Sequence, residues 1–351
     1  MKVLFPFIGD SIGGSHVSSL ILFRELVRQN IDVKIVIQKP GLLESYLKNN
    51  GITPQLIEVP FNISKGDRFF VQAFKGLLNF FSLRHILEDL QIDVVHTNDI
   101  RNHIQWMFAS RFTCKHVVHL RTDVKNTVLW QLFFARSERV VAVSEYIKCK
   151  IYGPRVVRVY NPIDAVQHDH ELEKAKIYKK LDLERSPNNK ILIGYVGRLE
   201  ITKGIKQFLN VSNGFEGAIF IVAGAGSCEH MLAEHNVHYL GFVSNMASLL
   251  SGLDIVVLPS QSEGFGRVLV EAAMQGCRIV ASDIPAHHEA AKSVSHCKFF
   301  SVGDDFECAT QIRNCLEELK IECARDNHVN TKLFDPVSHA ESILEVYKST
   351  L

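Results

Sequence analysis

The chain has 351 residues, 46% hydrophobic and 22% charged, which excludes an intrinsically disordered or collagen-like protein and gives length for two domains at roughly 100–200 residues each. Lys and Arg total 39 against 38 Asp and Glu, and a net charge of +1 argues against a nucleic-acid binder. The charge is uneven: residues 1–165 carry 21 basic and 14 acidic side chains, the remainder 18 and 24. The opening run Val3–Ile8 is too short for the apolar core of a signal peptide and reads as a first strand with its loop. No stretch reaches the roughly 18 uncharged apolar residues of a membrane span. Strands are expected at Lys2–Phe7, Val33–Ile37, Gln55–Glu58, Val94–His96, Val117–Leu120, Val140–Val143 and Val156–Val159. Helical patterns at Ser18–Gln29 and Phe69–Glu88 lie between them. This alternation of Val/Ile-rich strands and amphipathic stretches predicts a parallel sheet with both faces covered.

Residues 164–189 are polar, rich in His, Lys and Glu, and include Pro187. A domain boundary is therefore placed near 165, just after Asn161-Pro162. The pattern then restarts, with strands expected at Ile191–Val196, Ala218–Ala223, His238–Leu240, Ile255–Leu258, Arg278–Ala281 and Cys297–Phe300, and a helix over Gly266–Gln275. The fold class is thus α/β, with two doubly wound, Rossmann-like parallel-sheet domains, 1–165 and 166–335. A last helix, 336–351, is expected to pack back on the first domain. The eight cysteines contain no C-x-x-C pair and read as reduced thiols of a cytosolic protein. Ligands of such sheets sit beyond the carboxyl ends of the strands, which points to a cleft between the two domains.

Several strand-end loops carry chemistry. Gly13-Gly14 opens the Ser18 helix and can present backbone amides to a phosphate, although a tight strand–helix turn explains it equally well. The loop Gly197–Gly204 carries Arg198 and Lys203 five residues apart, a fork of donors and a mobile point charge for one anion; alone it is also compatible with a solvated basic loop. Gly224-Ala225-Gly226-Ser227 is a weaker signal of the same kind. The strongest stretch is Leu258–Ala272, where Glu263 and Glu271 stand eight residues apart around Gly264-Phe265-Gly266. Consecutive amides at a helix N-terminus suit phosphate, and a carboxylate facing a vicinal diol accepts two hydrogen bonds. Glu271 lies in so apolar a helix that it needs a partner. His168-Asp169-His170-Glu171 has the residue types of a metal site but falls in the polar stretch and reads as solvated.

The E-x7-E spacing from Glu263 to Glu271, in the setting P-S-x-x-E-G-F-G-x-x-x-x-E-A, resembles the retaining glycosyltransferases of family 4, the glycosyl transferases group 1 type, which have a GT-B fold. The order of Gly13-Gly14, Val141–Ser144, Tyr160–Asp164, Tyr195–Arg198 with Lys203-Gly204, Ala223–Gly226, Leu240–Val243 and Ala281–Asp283 agrees over nearly the whole chain. The resemblance implies that Arg198 and Lys203 hold the donor diphosphate and that Glu271 binds ribose hydroxyls. It implies that Glu263, with Gly264, Phe265 and Gly266, contacts the transferred sugar, and that Val243 supports the nucleobase. Gly14 and Arg267 complete the donor-binding set. His119 is the match for a family histidine beside the transferred sugar, with His96 as its rival. Where the family often has a glycine pair, this chain has Pro285-Ala286-His287-His288-Glu289.

The resemblance implies retaining, metal-independent transfer of a hexose or hexosamine from a nucleotide-diphospho-sugar, UDP-linked, to a glycan or lipid-linked acceptor of lipopolysaccharide or polysaccharide biosynthesis. The chain has no Asp-x-Asp for a metal, so Arg198, Lys203 and helix amides would neutralise the diphosphate, and no cofactor is expected. The alternatives are a GT-B sugar-nucleotide epimerase and a non-catalytic nucleotide-sugar-binding protein. The expected location is cytoplasmic, peripheral on the inner face of the membrane. The segment Lys65–Arg84 supports that location: Phe69, Phe70, Phe74, Phe80 and Phe81 alternate with Lys65, Arg68, Lys75 and Arg84. It reads either as an interfacial helix against an anionic leaflet or as a core helix with Leu77, Phe80, Phe81 and Arg84 on one buried stripe.

Overall fold

Each Val/Ile-rich run of the N-terminal half forms a strand in the computed structural model, which describes residues 1–64, 66–153, 155–183, 190–321 and 329–350. Among these residues the first half holds β1 (Lys2–Phe7), β2 (Asp32–Ile37), β3 (Gln55–Leu56), β4 (Val94–Thr97), β5 (Lys115–Leu120), β6 (Arg139–Ala142) and β7 (Val156–Arg158). Its helices are α1 (Gly14–Arg28), α2 (Leu42–Asn49), α3 (Phe69–Leu78), α4 (Phe80–Asp89), α5 (Ile100–Ser110), α6 (Val128–Phe134) and α7 (Glu145–Lys148). The strands are all parallel, in the order β3-β2-β1-β4-β5-β6-β7. Both faces are buried, as β1 shows: Val3, Phe5 and Phe7 join a core with Leu22 and Leu26 of α1, while Leu4 joins Leu83, Leu87 and Trp106 on the other side. The strand order reverses between β1 and β4, which makes their carboxyl ends the ligand-binding position of this sheet.

The expected helix Phe69–Glu88 is two helices. They meet at the buried Asn79, whose side chain accepts from Phe61 N at 2.9 Å and donates to Phe61 O at 2.7 Å. The buried positions are also different from the expected stripe. Gln72, Gly76, Leu83 and Leu87 face inward, whereas Leu77 and Phe81 are exposed and Phe80 is half-buried. The cause is helix–helix approach: a Cβ on Gly76 would lie 3.2 Å from the Gln105 Cα of α5. Lys65 lies outside the described residues.

The second sheet follows a segment that includes α8 (His170–Lys180). It comprises β8 (Ile191–Val196), β9 (Ala218–Ala223), β10 (His238–Gly241), β11 (Ile255–Leu258), β12 (Arg278–Ser282) and β13 (Cys297–Phe300), again all parallel, in the order β10-β9-β8-β11-β12-β13. The helices between them are α9 (Ile205–Ser212), α10 (Met246–Ser251), α11 (Arg267–Met274) and α12 (Pro285–Ala291), and α13 (Asp305–Ile321) follows β13. Here the order reverses between β8 and β11. The chain divides into two compact units, Met1–Asp164 with Phe334–Leu351, and Ala165–Leu333. The last helix, α14 (Pro336–Lys348), belongs to the first unit and adds Ala340, Ile343, Leu344, Val346 and Tyr347 to its core.

In the His168–Glu171 run Asp169 and Glu171 are exposed, as expected, whereas the two histidines are partly buried. Asp169 caps α8 by accepting from Leu172 N at 2.8 Å, and His170 Nδ1 meets Ser251 O at 2.7 Å. The seven cysteines among the described residues form no disulfide; Cys323 lies outside them.

The first unit buries an unusual number of imidazoles. Burial holds His103, His116 and His339 down at about 3 and His16 at about 4, and holds His96 and His119 well below the ordinary range. The nearby Arg121 charge pushes five of these six down further, His116 being the exception. These groups are neutral when folded and take up protons on unfolding below about pH 6.5, so stability falls as the pH drops through that value. Both tryptophans, Trp106 and Trp130, lie in this unit, so their fluorescence follows it alone. The melting temperature read by tryptophan fluorescence should fall by about 5 °C or more from pH 7 to pH 5; a flat profile would contradict the neutral assignment.

Candidate active site

The loops after β8 and β11 flank the reversal point of the second sheet and carry most of the residues singled out from the sequence. They are held together by backbone. Gly204 has φ +73°, and a Cβ there would lie 1.9 Å from Pro259 O. Gln261 N donates to Thr202 O at 2.9 Å. Glycine is thus required at 204 twice over, for its left-handed conformation and for the missing side chain.

That approach brings Lys203 to Glu263, with Nζ 2.7 Å from Oε2. Ser260 Oγ donates to the other carboxylate oxygen at 2.9 Å. Burial alone would raise the Glu263 pKa, but the Lys203 charge, His287 and these hydrogen bonds hold it below the ordinary carboxylate value. Arg198, at the start of the β8 loop, is half in solvent and pairs with Glu200 at 2.8 Å. Gly266 caps α11 at φ +89°, directly over the ring of His287. Inside that helix Glu271 accepts from Arg267 Nε at 2.6 Å, which supplies the partner its apolar surroundings require. Val243 follows β10, whose end is tied to the β9 loop by Gly224 N donating to Gly241 O at 2.9 Å. The structure therefore gathers Arg198, Lys203, Glu263, Gly264, Phe265, Gly266, Arg267 and Glu271 around one strand reversal, with Val243 on the loop of the edge strand.

Gly14 and His119 belong to the first unit. Gly14 is the first residue of α1, after β1. His119 is fully buried inside β5, and His96 Nε2 lies 3.1 Å from its Nδ1, so the two candidate histidines form one hydrogen-bonded pair. The side chain at the carboxyl end of β5 is Arg121. Its Nε donates to Asn98 Oδ1 at 2.8 Å, Nη1 to Asn161 Oδ1, and Nη2 to His119 Nδ1 at 3.2 Å. Sequence reasoning passed over Arg121, although its place just after a strand was a usable signal.

Two family models divide the chain: Glycosyltransferase Family 4 matches residues 12–167, and Glycosyl transferases group 1 matches residues 179–322. The chain belongs to glycosyltransferase family 4. A protein of the Klebsiella pneumoniae cps region is 25% identical over 84% of this chain and 88% of its own length. The Escherichia coli UDP-Gal:alpha-D-GlcNAc-diphosphoundecaprenol alpha-1,3-galactosyltransferase is 23% identical over 84% and 82%. Among solved structures, Anabaena HepE in complex with UDP and glucose superposes with a TM-score of 0.80, 19% identity and coverage of 99% and 100%. Sucrose-phosphate synthase from Thermosynechococcus elongatus gives 0.77 at 12% identity, with coverage of 99% and 98%. The fold is GT-B and the protein is a glycosyltransferase.

In this family 4 chain the glycine-pair position is occupied by α12. Its two histidines diverge: His287 is buried under Gly266 with Nδ1 at 3.0 Å from Ser282 O, whereas His288 stacks on Phe299 and pairs with Asp283. The loop apposition gives a direct test. Gly204→Ala should lower stability by about 1–3 kcal/mol in chemical denaturation followed by circular dichroism; wild-type stability would show that the two loops can separate without cost.

Proposed function

We propose that the protein transfers a hexose or hexosamine from a UDP-linked sugar to a glycan or lipid-linked acceptor, with retention and without a metal ion, in lipopolysaccharide or polysaccharide biosynthesis. The observation that carries this reading is the gathering of two cations, two carboxylates and a helix N-terminus at the reversal point of the second sheet. The relatives favour the donor and acceptor classes: UDP-galactose and a diphosphoundecaprenol glycan are named for the Escherichia coli enzyme, and UDP with glucose for the HepE complex. The Acholeplasma laidlawii relative is named a processive diacylglycerol alpha-glucosyltransferase, at 26% identity over 68% of this chain and 78% of its own. Alpha products from alpha-linked donors favour retention.

Arg198 and Lys203 would bind the diphosphate, exchanging Glu200 and Glu263 for phosphate oxygens. As the glycosidic bond breaks, charge builds on the leaving diphosphate, and these cations with the amides of Gly264–Arg267 stabilise it there, in place of a metal. Glu263, freed from Lys203, faces hydroxyls of the transferred sugar. Glu271 receives the ribose hydroxyls and Val243 supports the base. In the first unit Gly14 offers the N-terminus of α1, and the end of β5 contributes Arg121, with His119 as the residue that holds its guanidinium. Arg198→Ala and Lys203→Ala should each weaken UDP binding by about 1.5–3 kcal/mol in isothermal titration, equally in EDTA and in magnesium. Unchanged affinity in both variants would reject the diphosphate role, and loss of binding in EDTA would reject metal independence.

The location proposed for this reaction is the surface of an anionic membrane leaflet. Among the described residues no helix is long and apolar enough to cross a membrane. The first unit instead turns Phe70, Phe74, Leu77, Leu78 and Phe81 of α3 and α4 outward, with the three phenylalanines 62–80% exposed. Exposed Val128, Leu129 and Leu132 of α6 continue this face through the edge-on contact of Phe69 with Trp130. Arg68 beside it is exposed, and the unit carries the basic excess of the chain. Apolar side chains inserting between headgroups, with a basic surround, suit such a leaflet. The protein should sediment with phosphatidylglycerol vesicles at low salt, less at high salt, and poorly with phosphatidylcholine. Phe74→Ser combined with Phe81→Ser should abolish the effect; equal or absent sedimentation with both lipids would favour a soluble acceptor.

A further inference from the structure

Arg267 breaks two local preferences of the helix it starts. It is the first residue of α11, where the helix dipole favours an acidic side chain. Its partner Glu271 lies four residues on, so the cation precedes the anion, the less favourable order for such a pair. Neither side chain is a solvated surface group: Arg267 is 12% exposed and Glu271 is 15% exposed, with Nε 2.6 Å from Oε1. The neighbours Leu269, Val270, Ala272 and Ala273 are buried and apolar. A residue kept against local preference, in a largely buried pair, at the edge of a ligand site, is where a functional constraint is expected.

We propose that Arg267 is a positioning residue that orients the Glu271 carboxylate for the two ribose hydroxyls of the donor. This rests on the reading of Glu271 as the ribose ligand. A glutamate has three side-chain torsions, and a carboxylate turned away from a diol loses both hydrogen bonds at once. The Arg267 Nε–H bond pins one oxygen and so fixes the plane of the group. An ionised carboxylate accepts about four hydrogen bonds, so one commitment to a guanidinium is compatible with two to hydroxyls. Arg267 contributes to nucleotide selectivity through its hold on Glu271.

The test compares UDP with 2′-deoxy-UDP by isothermal titration in the wild type, Arg267→Met, Glu271→Ala and the double variant, with melting temperatures confirming folding. The wild type should prefer UDP by about tenfold or more. Arg267→Met should lower UDP affinity about tenfold while leaving 2′-deoxy-UDP within twofold, and the double variant should lose no more than Glu271→Ala alone. Arg267→Lys, which keeps the charge but not the planar donor, should recover part of the preference. A parallel loss for both nucleotides, additive losses in the double variant, or an unchanged preference would each overturn the proposal. A wild type without preference would overturn the ribose reading of Glu271 and this inference with it. Should Arg267→Met fail to fold, Arg267→Gln takes its place with the same expected pattern.

Discussion

The close approach of Gly204 to the carbonyl of Pro259 is the contact on which the candidate donor site depends. Residues 55 positions apart meet because β8 and β11 are neighbours and their loops leave the same end of the sheet. One missing side chain lets the loops lie on each other, and Lys203 is thereby delivered to Glu263. That ion pair is a poor stabiliser. Both side chains are largely buried, at 18% and 23% exposure, and the desolvation of two charges consumes most of their attraction. Its value lies elsewhere. In the proposed reaction it would hold a cation that an incoming anion can take over, and would keep Glu263 ionised until that exchange.

The first unit solves a different problem with neutral groups. Arg121 can only donate, so Nδ1 of His119 must accept its hydrogen bond. His96 Nε2 must then donate to that same atom, which leaves His96 Nδ1 as an acceptor and makes the Tyr347 hydroxyl the donor to it. One guanidinium thus sets the direction of a hydrogen-bond chain that ends on the C-terminal helix. The arrangement tolerates a buried positive charge only while the imidazoles around it stay neutral, which is why their burial and the field of Arg121 act in the same sense. It also gives α14 a part in the first unit beyond covering apolar surface, since Tyr347 is fully buried and is the last member of that hydrogen-bond chain.

The parallel sheets were legible because their signal is local: unbroken Val/Ile runs separated by helix-length stretches mark strands buried on both faces. The E-x7-E spacing and the Arg198–Lys203 loop were legible for the same reason, since each is contained in one short stretch of sequence. The companions of these residues were harder to see. Glu200 two residues from Arg198, and Arg267 four before Glu271, were present in the sequence, but nothing local says which charges pair. The choice between His96 and His119 had no sequence answer because the two rings sit on adjacent strands and share a hydrogen bond.

The phenylalanine-rich segment shows why periodicity stops short of orientation. The pattern of α3 and α4 correctly separates two faces, and hydrophobicity alone would send the aromatic face inward. What decides the matter is Gly76. Its lack of a side chain lets α3 settle onto the backbone of α5 near Gln105, and Gln72 on the same face is satisfied by donating to Asp67 O at 2.7 Å. With the small and polar residues committed to the interior contact, the bulky ones have nowhere to go but outward. The stretch after α3 is then held by Asn79 through both main-chain groups of Phe61, so the helix pair cannot rotate to bury its aromatics without breaking two hydrogen bonds at a buried site. The exposed aromatic face is therefore a consequence of how α3 is anchored, and a surface kept apolar by such anchoring is one that another apolar phase can use.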